Sequence, residues 1–207
     1  METSLIVVDD FLDGAEALRA QALALTYPDL EGPFPGRNSV ERINISGLAE
    51  QVSQSTGEWL QPPSPPMSHA KCRITLARDD AQPRVHIDPG YWSGILYLSA
   101  PEDCSGGTEF FRHRRTRTDR APATREELAA LGYASWDAMV EDIVQKDGGD
   151  PGCWEMTMRV PMRFNRLVLL RPWLWHTAGP GFGSRPENGR LVYLMFFNPA
   201  RAGEVQR

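Results

Sequence analysis

The sequence predicts a mainly β protein, an antiparallel barrel or jelly roll with helices packed against it. Seventeen prolines and 18 glycines in 207 residues distribute turns along the chain, which favours short strands over a helix bundle. Roughly seven strand-like segments follow one another, mostly after residue 70. A chain of this length can bury one substantial core and is short for two. We therefore expect a single domain over residues 1–207.

The N-terminal third is expected to contribute one strand and two helices. The stretch LIVVD near the start is rich in β-branched residues and predicts a short buried strand. The stretch GAEALRAQALAL has helical spacing of Leu and Ala, with Asp13 as its expected N-cap. Residues 29–42, rich in Gly, Pro and Asn, predict a loop. Residues 47–60 predict a second helix, which the QPPSPP stretch at 61–66 closes.

The β core is expected at about residues 70–198, where alternating segments lie between turn residues. KCRITLA places Cys72, Ile74 and Leu76 on one face of its strand. Arg73 and Thr75 fall on the other face. The predicted strands are 71–77, 84–88, 93–100, 107–113, 154–160, 163–170 and 189–197.

A helical insert is expected at about residues 114–153. Thr124 and Glu127 form a capping-box pattern that opens one helix. Ser135 can cap a second helix, which has one apolar face. That face consists of Trp136, Met139, Val140, Ile143 and Val144. It either packs on the sheet as core or forms a lid over a substrate.

Composition and charge exclude several classes of protein. A formal net charge of −5 argues against a protein whose main function is to bind nucleic acid. No apolar run reaches the 18 residues that a membrane span needs, and the acidic start does not resemble a signal peptide. Three cysteines without C-x-x-C spacing argue against a disulfide framework or zinc ribbon. We expect a cytoplasmic protein with no membrane partner. The oligomeric state cannot be predicted from these features.

Candidate metal ligands lie in two separate segments. The stretch RVHIDPGYWSG carries His86 and Asp88, which as residues i and i+2 of an extended segment project to the same side. Taken alone, the pair also fits a turn in which Asp88 caps its own backbone before Pro89. His176 closes the strand-like run RLVLLRPWLWH. Further on, Arg190 opens an apolar strand, a position that calls for an anionic partner.

Taken together and in this order, these residues resemble the iron(II)- and 2-oxoglutarate-dependent dioxygenase superfamily. The stretch GILYLSAPEDCSGGTEFF is similar to the strand–turn–strand of its prolyl-hydroxylase-like branch. The resemblance covers roughly residues 70–198. It implies a double-stranded β-helix (jelly-roll or cupin-like) core, with the N-terminal helices and the insert outside it.

The resemblance also implies a site for Fe(II), 2-oxoglutarate and dioxygen. His86, Asp88 and His176 would be the facial triad, which leaves three iron positions open for the 2-oxo acid and dioxygen. Arg190 would bind the distal carboxylate of 2-oxoglutarate. Many members place Ser or Thr two residues after this arginine, whereas this chain has Val192. Tyr97 matches the cosubstrate-binding tyrosine of the prolyl-hydroxylase-like branch.

Further residues are candidates for lining the site. Thr108 and Asn165 would lie near the cosubstrate, or be ordinary sheet residues. Trp92, Trp173 and Trp175 flank the ligands and would wall the pocket or join the core. The one basic cluster, around FFRHRRTRTDR, is a solvated loop or a clamp for an acidic substrate. In the second case, Arg112 and Arg114 would contact the substrate.

The leading hypothesis for function is hydroxylation of a small molecule, such as an amino acid or its derivative. Succinate and CO2 would be the co-products. Two alternatives stay open at this point. One is a protein or peptide hydroxylase of the prolyl type, which needs an open groove. The other is a cupin-like protein that binds a metal without catalysis and without dependence on Arg190.

Overall fold

Two antiparallel sheets face each other and enclose an apolar interior. The computed structural model describes residues 3–29, 35–79 and 84–200. The strands are β1 (Leu5–Val8), β2 (Arg37–Asn38), β3 (Leu60–Gln61), β4 (Cys72–Thr75), β5 (Trp92–Tyr97), β6 (Gly107–His113), β7 (Trp154–Pro161), β8 (Leu167–Leu170), β9 (His176–Thr177) and β10 (Arg190–Pro199). The larger sheet has the order β1-β8-β5-β10-β4-β2, with β3 also paired to β10. The smaller sheet has the order β7-β6-β9.

Among the described residues, four α-helices flank these sheets. They are α1 (Ala15–Leu23), α2 (Leu48–Thr56), α3 (Arg125–Ala130) and α4 (Trp136–Met139), and a π-helical segment continues α4 over Val140–Asp147. Within the described part of the chain, no helix is long and apolar enough to cross a membrane. The predicted mainly β fold with antiparallel strands and some helices is confirmed.

Side-chain alternation gives the larger sheet two different faces. The outer face packs against α1 and α2 in one apolar cluster. This cluster includes Leu18, Ala22, Val52, Cys72, Ile74, Leu96, Tyr193 and Phe197. The inner face meets the smaller sheet, and Tyr97 and Val192 pack there with Phe110 and Val160. Because alternate residues face opposite sides, Arg73, Thr75 and Arg190 belong to the inner face.

Most predicted elements appear with shifted ends, and a few predictions are wrong. The strands predicted over 107–113 and 154–160 coincide with β6 and β7 to within one residue. The segment 84–88 is not a regular strand, because only His86 forms a bridge there. Asp13 does not cap α1, whose N-cap is Gly14 without a side-chain bond. The predicted loop at 29–42 contains the short strand β2 among its described residues.

The turn before β6 depends on two glycines. Gly106 and Gly107 have φ angles of +65° and +151°, which side-chain-bearing residues rarely adopt. A Cβ atom on Gly107 would lie 2.0 Å from the carbonyl oxygen of Val160. The close approach of β6 to β7 therefore requires glycine at this position.

The helices between β6 and β7 pack as core. Thr124 and Ser135 cap α3 and α4 through side-chain bonds to Glu127 N and Ala138 N, as their spacing predicts. Met139 and Ile143 are fully buried. They form a cluster with Val85, Trp154 and Trp175. This arrangement favours the interpretation that the apolar face of the insert packs as core, rather than forming a lid over a substrate.

Replacing Arg171 with methionine is expected to destabilise the fold by about 3 kcal/mol, because its ion pair with Glu58 and its cation–π contacts are lost together. Its guanidinium carbon lies 4.1 Å from the ring centres of both Tyr91 and Trp92. Its Nη2 also lies 2.6 Å from Glu58 Oε1. Urea unfolding of the Arg171→Met variant measures the effect. Arg125→Met, at an exposed position, is the matched control, and equal stability of the two variants would contradict the prediction.

Candidate active site

The two candidate histidines are held side by side by backbone hydrogen bonds. His86 N donates to His176 O at 3.0 Å, and His176 N donates to His86 O at 3.1 Å. The centres of their imidazole rings are 4.5 Å apart. The extended segment that contains His86 is thereby fixed against β9, so two residues 90 positions apart in sequence meet.

Both imidazoles present the same nitrogen to the site. Nδ1 of His86 lies 2.8 Å from Arg84 O, and Nδ1 of His176 lies 2.8 Å from Leu174 O. A carbonyl can only accept, so each Nδ1 carries a proton and donates it when the ring is neutral. The lone pair is then on Nε2, the atom that points to Asp88. Such a backbone bond is the usual way in which proteins fix the tautomer of a metal-binding histidine.

Asp88 supplies the carboxylate between the two rings. Its Oδ2 lies 3.4 Å from His176 Nε2, and its Oδ1 lies 3.8 Å from His86 Nε2. Ser93 Oγ donates to Oδ2 at 2.8 Å and fixes the orientation of the carboxylate. The backbone N of Asp88 donates to Pro172 O. The turn interpretation of this segment is therefore incomplete, because Asp88 faces both histidines.

The electrostatics of the cluster suit a cation. Burial, with the neighbouring His176, lowers the pKa of His86 to about 4, which keeps this ring neutral. Burial alone would raise the pKa of Asp88, but hydrogen bonds and the nearby histidines outweigh it and lower this pKa to about 2. One ligand atom from each of the three residues lies within 4.8 Å of the others. Two imidazoles and one carboxylate at this spacing match the donor set of a facial iron(II) site.

Arg190 is a buried cation that forms no salt bridge with another described residue. The residue is 2% exposed, and Nε and Nη2 have no hydrogen-bond partner in the described part of the chain. Burial lowers the pKa of the guanidinium. Its central carbon lies 6.0 Å from the centre of the Tyr97 ring. Buried guanidinium donors are normally satisfied, so these two donors indicate a binding position for an anion.

One cavity of about 250 Å³ joins the three candidate ligands to Arg190. Its wall combines the inner face of the larger sheet with residues of β9 and the turn after it. The lining residues on the larger sheet include Asn38, Arg73, Thr75, Ser93, Ile95, Val192, Leu194 and Phe196. The cavity therefore connects the three candidate metal ligands to the buried guanidinium of Arg190.

Tyr97 and Thr108 lie next to this cavity rather than in its described lining. The two hydroxyl oxygens are 2.7 Å apart, and Thr108 N donates to the Tyr97 hydroxyl at 2.9 Å. Both side chains are fully buried. Burial raises the pKa of Tyr97, so its hydroxyl stays protonated. Through the Tyr97 ring, the pair lies near the Arg190 guanidinium but outside the described cavity lining.

Other predicted site residues lie elsewhere. The Asn165 side-chain amide accepts from Leu12 N and donates to Leu12 O, which ties the turn before β8 to the N-terminal segment. Trp92 stacks on Arg171, and Trp175 packs on Trp154. Arg112 pairs with Asp119, and Arg114 donates to Trp154 O. None of the five predicted residues belongs to the described cavity lining, which consists instead of residues on the inner sheet face.

Several residues of the site were missed by the sequence analysis. Ser93, Arg73 and Arg84 all line the cavity. The alternation of side chains between the two faces of an extended segment could have indicated each of them. Arg84 lies two residues before His86 in the same extended segment, and Arg73 shares a strand face with Thr75.

The fold has a solved counterpart. HygX from Streptomyces hygroscopicus, solved with nickel, 2-oxoglutarate and hygromycin B bound, is similar over 95% of this chain and 83% of its own, at 16% identity and a TM-score of 0.54. Two further HygX structures, one with nickel and 2-oxoglutarate and one with iron, match at 15% identity over the same shares, with TM-scores of 0.47 and 0.44. The predicted resemblance to iron(II)/2-oxoglutarate oxygenases is confirmed at the level of the fold.

The family of the chain follows from its sequence. Residues 1–197 match the family described as "Family of unknown function (DUF6445)", and the chain belongs to this family. No curated protein matches the chain.

Proposed function

We propose that this protein is an Fe(II)- and 2-oxoglutarate-dependent dioxygenase. His86, Asp88 and His176 hold the iron, and Arg190 binds the distal carboxylate of 2-oxoglutarate. The observation that carries the proposal is the shared cavity, which contains a two-histidine, one-carboxylate cluster and a buried guanidinium. Two donors of this guanidinium have no hydrogen-bond partner among the described residues. A metal-binding protein without a cosubstrate has no need of that guanidinium, whose burial is costly. The 2-oxoglutarate and metal bound to HygX support the same assignment.

The proposal extends to the architecture. The two facing sheets form a double-stranded β-helix, and residues 1–207 form one dioxygenase domain with the helical insert at about 114–153. The cluster shared by Tyr97, Phe110 and Val160, which come from both sheets, supports this arrangement.

The protein's own residues bind the iron and the cosubstrate, orient the iron ligands and shield the cavity from water. Bound iron, together with 2-oxoglutarate and dioxygen, supplies the oxidising chemistry that hydroxylates a C–H bond and yields succinate and CO2. The backbone bonds to Nδ1 keep the Nε2 atoms of His86 and His176 available as ligands. Ser93 holds the Asp88 carboxylate in place. Apolar side chains such as Ile95, Val192 and Leu194 limit the access of water to the cavity.

The substrate is a small molecule, such as an amino acid or its derivative. A cavity of about 250 Å³ suits a ligand of metabolite size rather than a polypeptide in an open groove. The small molecule hygromycin B bound to HygX is consistent with this substrate class.

Anaerobic absorption spectroscopy tests the proposal. Purified protein is titrated with Fe(II) and then with 2-oxoglutarate, and a visible metal-to-ligand charge-transfer band is expected only after the second addition. The band should saturate at a ratio of one cosubstrate to one protein. If iron binds and no band forms, the protein is a metal-binding barrel without this cosubstrate. If iron does not bind, the proposed function is wrong.

A further inference from the structure

A chain of hydrogen-bonded side chains connects the helical insert to the segment of a candidate iron ligand. This polar chain consists of Trp175, Thr118, Thr116, His113 and Asp147. The indole Nε1 of Trp175 donates to Thr118 Oγ1 at 3.1 Å, and the hydroxyl oxygens of Thr118 and Thr116 are 2.9 Å apart. His113 then joins Thr116 Oγ1 through Nδ1 at 2.9 Å and Asp147 Oδ2 through Nε2 at 3.0 Å. Both rings, those of His113 and Trp175, are fully buried.

The hydrogen bonds of the polar chain all point in one direction. An ionised Asp147 carboxylate can only accept, so Nε2 of a neutral His113 carries the proton and Nδ1 has the lone pair. Thr116 therefore donates its single hydroxyl hydrogen to Nδ1, and its oxygen accepts from Thr118. Thr118 in turn accepts from the Trp175 indole, which can only donate. Bonds aligned in this way strengthen one another.

The charges at the end of the polar chain keep it in this state. Burial lowers the pKa of His113, which keeps the imidazole neutral at neutral pH. Burial alone would raise the pKa of Asp147, but hydrogen bonds from Arg115 and His113 outweigh it and lower this pKa. Arg115 Nη2 lies 3.0 Å from Asp147 Oδ2 and 2.7 Å from Asp142 Oδ2. The polar chain therefore ends on an ionised carboxylate at the last residue of the π-helical segment.

The other end of the polar chain fixes the residue before His176. Besides the bond from its indole to Thr118, Trp175 donates from its backbone N to Asp119 O at 3.2 Å. Its own carbonyl accepts from Phe111 N at 2.9 Å. Since Thr118 and Asp119 are consecutive, one turn holds both the side chain and the backbone of Trp175. The polar chain thus acts on the position of His176 without contacting its imidazole.

The same end of the π-helical segment also contacts the segment of the other candidate histidine. Gly148, which follows Asp147, accepts from Val85 N at 2.9 Å. Val85 directly precedes His86 and packs with Ile143 of the π-helical segment in one apolar cluster. Two consecutive residues of the insert therefore hold the segments of both candidate histidines. π-Helical segments are rare and are frequently found at functional sites.

We propose that the polar chain positions the imidazole of His176 for iron binding, so that Thr118, Thr116, His113 and Asp147 act as positioning residues. The inference rests on the proposed function, since it requires that His176 bind iron. It also gives a function to the basic stretch FFRHRRTRTDR, through its histidine and two threonines rather than through an arginine clamp for a substrate.

Replacing Thr118 with valine tests the proposal, because the change removes the hydroxyl at nearly constant volume. Anaerobic calorimetric titration with Fe(II) should show an affinity about 10-fold below that of the parent protein, at the low end of the usual cost of losing an outer-shell partner. Thr118→Ser keeps the hydroxyl and should stay within about threefold of the parent protein, below that cost. With 2-oxoglutarate added at saturating iron, the charge-transfer band should shift in wavelength in Thr118→Val and coincide with that of the parent protein in Thr118→Ser.

A second variant breaks the polar chain at another bond and keeps the test decisive if Thr118→Val does not fold. Thr116→Val also removes a hydroxyl at nearly constant volume, but it leaves the bond from Trp175 to Thr118 in place. Its loss of iron affinity should therefore be smaller than that of Thr118→Val. The double variant should bind iron as Thr118→Val does, because the two changes interrupt one chain, whereas the effects of independent sites would multiply.

A matched control and the stability of each variant separate positioning from support of the fold. Thr56 is half-buried, and its hydroxyl donates to Val52 O at 3.1 Å within α2, so Thr56→Val should leave iron affinity unchanged. If the folded valine variants lose stability to urea but bind iron as tightly as the parent protein, the polar chain only supports the fold. The inference is then wrong and the proposed function stands. The same conclusion follows if Thr118→Ser loses as much affinity as Thr118→Val. If the parent protein does not bind iron, the proposed function itself fails.

Discussion

Replacing His176 with alanine is expected to weaken Fe(II) binding by more than about 100-fold and to abolish 2-oxoglutarate turnover. Loss of a residue that merely orients a metal ligand costs about 10- to 100-fold, so the loss of the ligand itself should cost more. His176 is 3% exposed, and its Nε2 lies 3.4 Å from Asp88 Oδ2. Calorimetric titration with Fe(II) under anaerobic conditions measures the affinity.

A second variant separates ligand loss from damage to the fold. In His176→Asn the amide nitrogen can still donate to Leu174 O, as Nδ1 does, while the atom at the position of Nε2 is gone. This variant should fold and should still lose iron. His69→Asn is the matched control, because His69 is buried and uses Nδ1 in a similar backbone contact with Phe196, away from the three candidate ligands. Undiminished iron affinity in folded His176→Asn would contradict the metal-site assignment.

The candidate metal ligands could be predicted because their signal is local. His86 and Asp88 are two residues apart in an extended segment, and alternation alone places them on one side. Arg190 begins an apolar strand, where an arginine is unusual unless it binds an anion in the interior of the fold. The strands β6 and β7 could be predicted because each is a run of seven or eight residues bounded by turn residues.

The partners of individual side chains could not be predicted, because they depend on contacts between distant segments. Asn165 lies in a strand-like stretch, and only the folded chain shows that it binds Leu12, 153 residues away. Trp92 and Trp175 flank the ligands in sequence, yet their side chains lie outside the described cavity lining, in two separate apolar clusters. The bond between Ser93 and Asp88 likewise requires the turn at Pro89 to bring β5 back against the ligand segment.

Replacing Arg190 with methionine is expected to change stability and cosubstrate affinity in opposite directions. Without a ligand, the guanidinium is buried with two donors that no other described residue satisfies, and each unsatisfied buried group costs about 1–3 kcal/mol. Methionine fills similar space and removes those donors. The apoprotein should therefore unfold at a higher urea concentration than the parent protein, by about 1–3 kcal/mol in the free energy of unfolding.

The affinity of the same variant for 2-oxoglutarate should fall by about 100-fold or more, because truncating one partner of a buried charge pair typically costs about 2–5 kcal/mol. At a cosubstrate concentration of 100 times its Kd, the parent protein should gain about 2.7 kcal/mol of stability, and Arg190→Met should gain almost none at that concentration. Arg190→Lys keeps the positive charge and loses the planar guanidinium. Its affinity for 2-oxoglutarate should therefore lie between those of the parent protein and Arg190→Met. An arginine that merely supported the fold would give the reverse result, a less stable variant with unchanged affinity, and that outcome would assign the cosubstrate to another cation. Opposite signs in the two measurements are expected only if the protein keeps an unpaired charge in its interior for the sake of an anionic ligand.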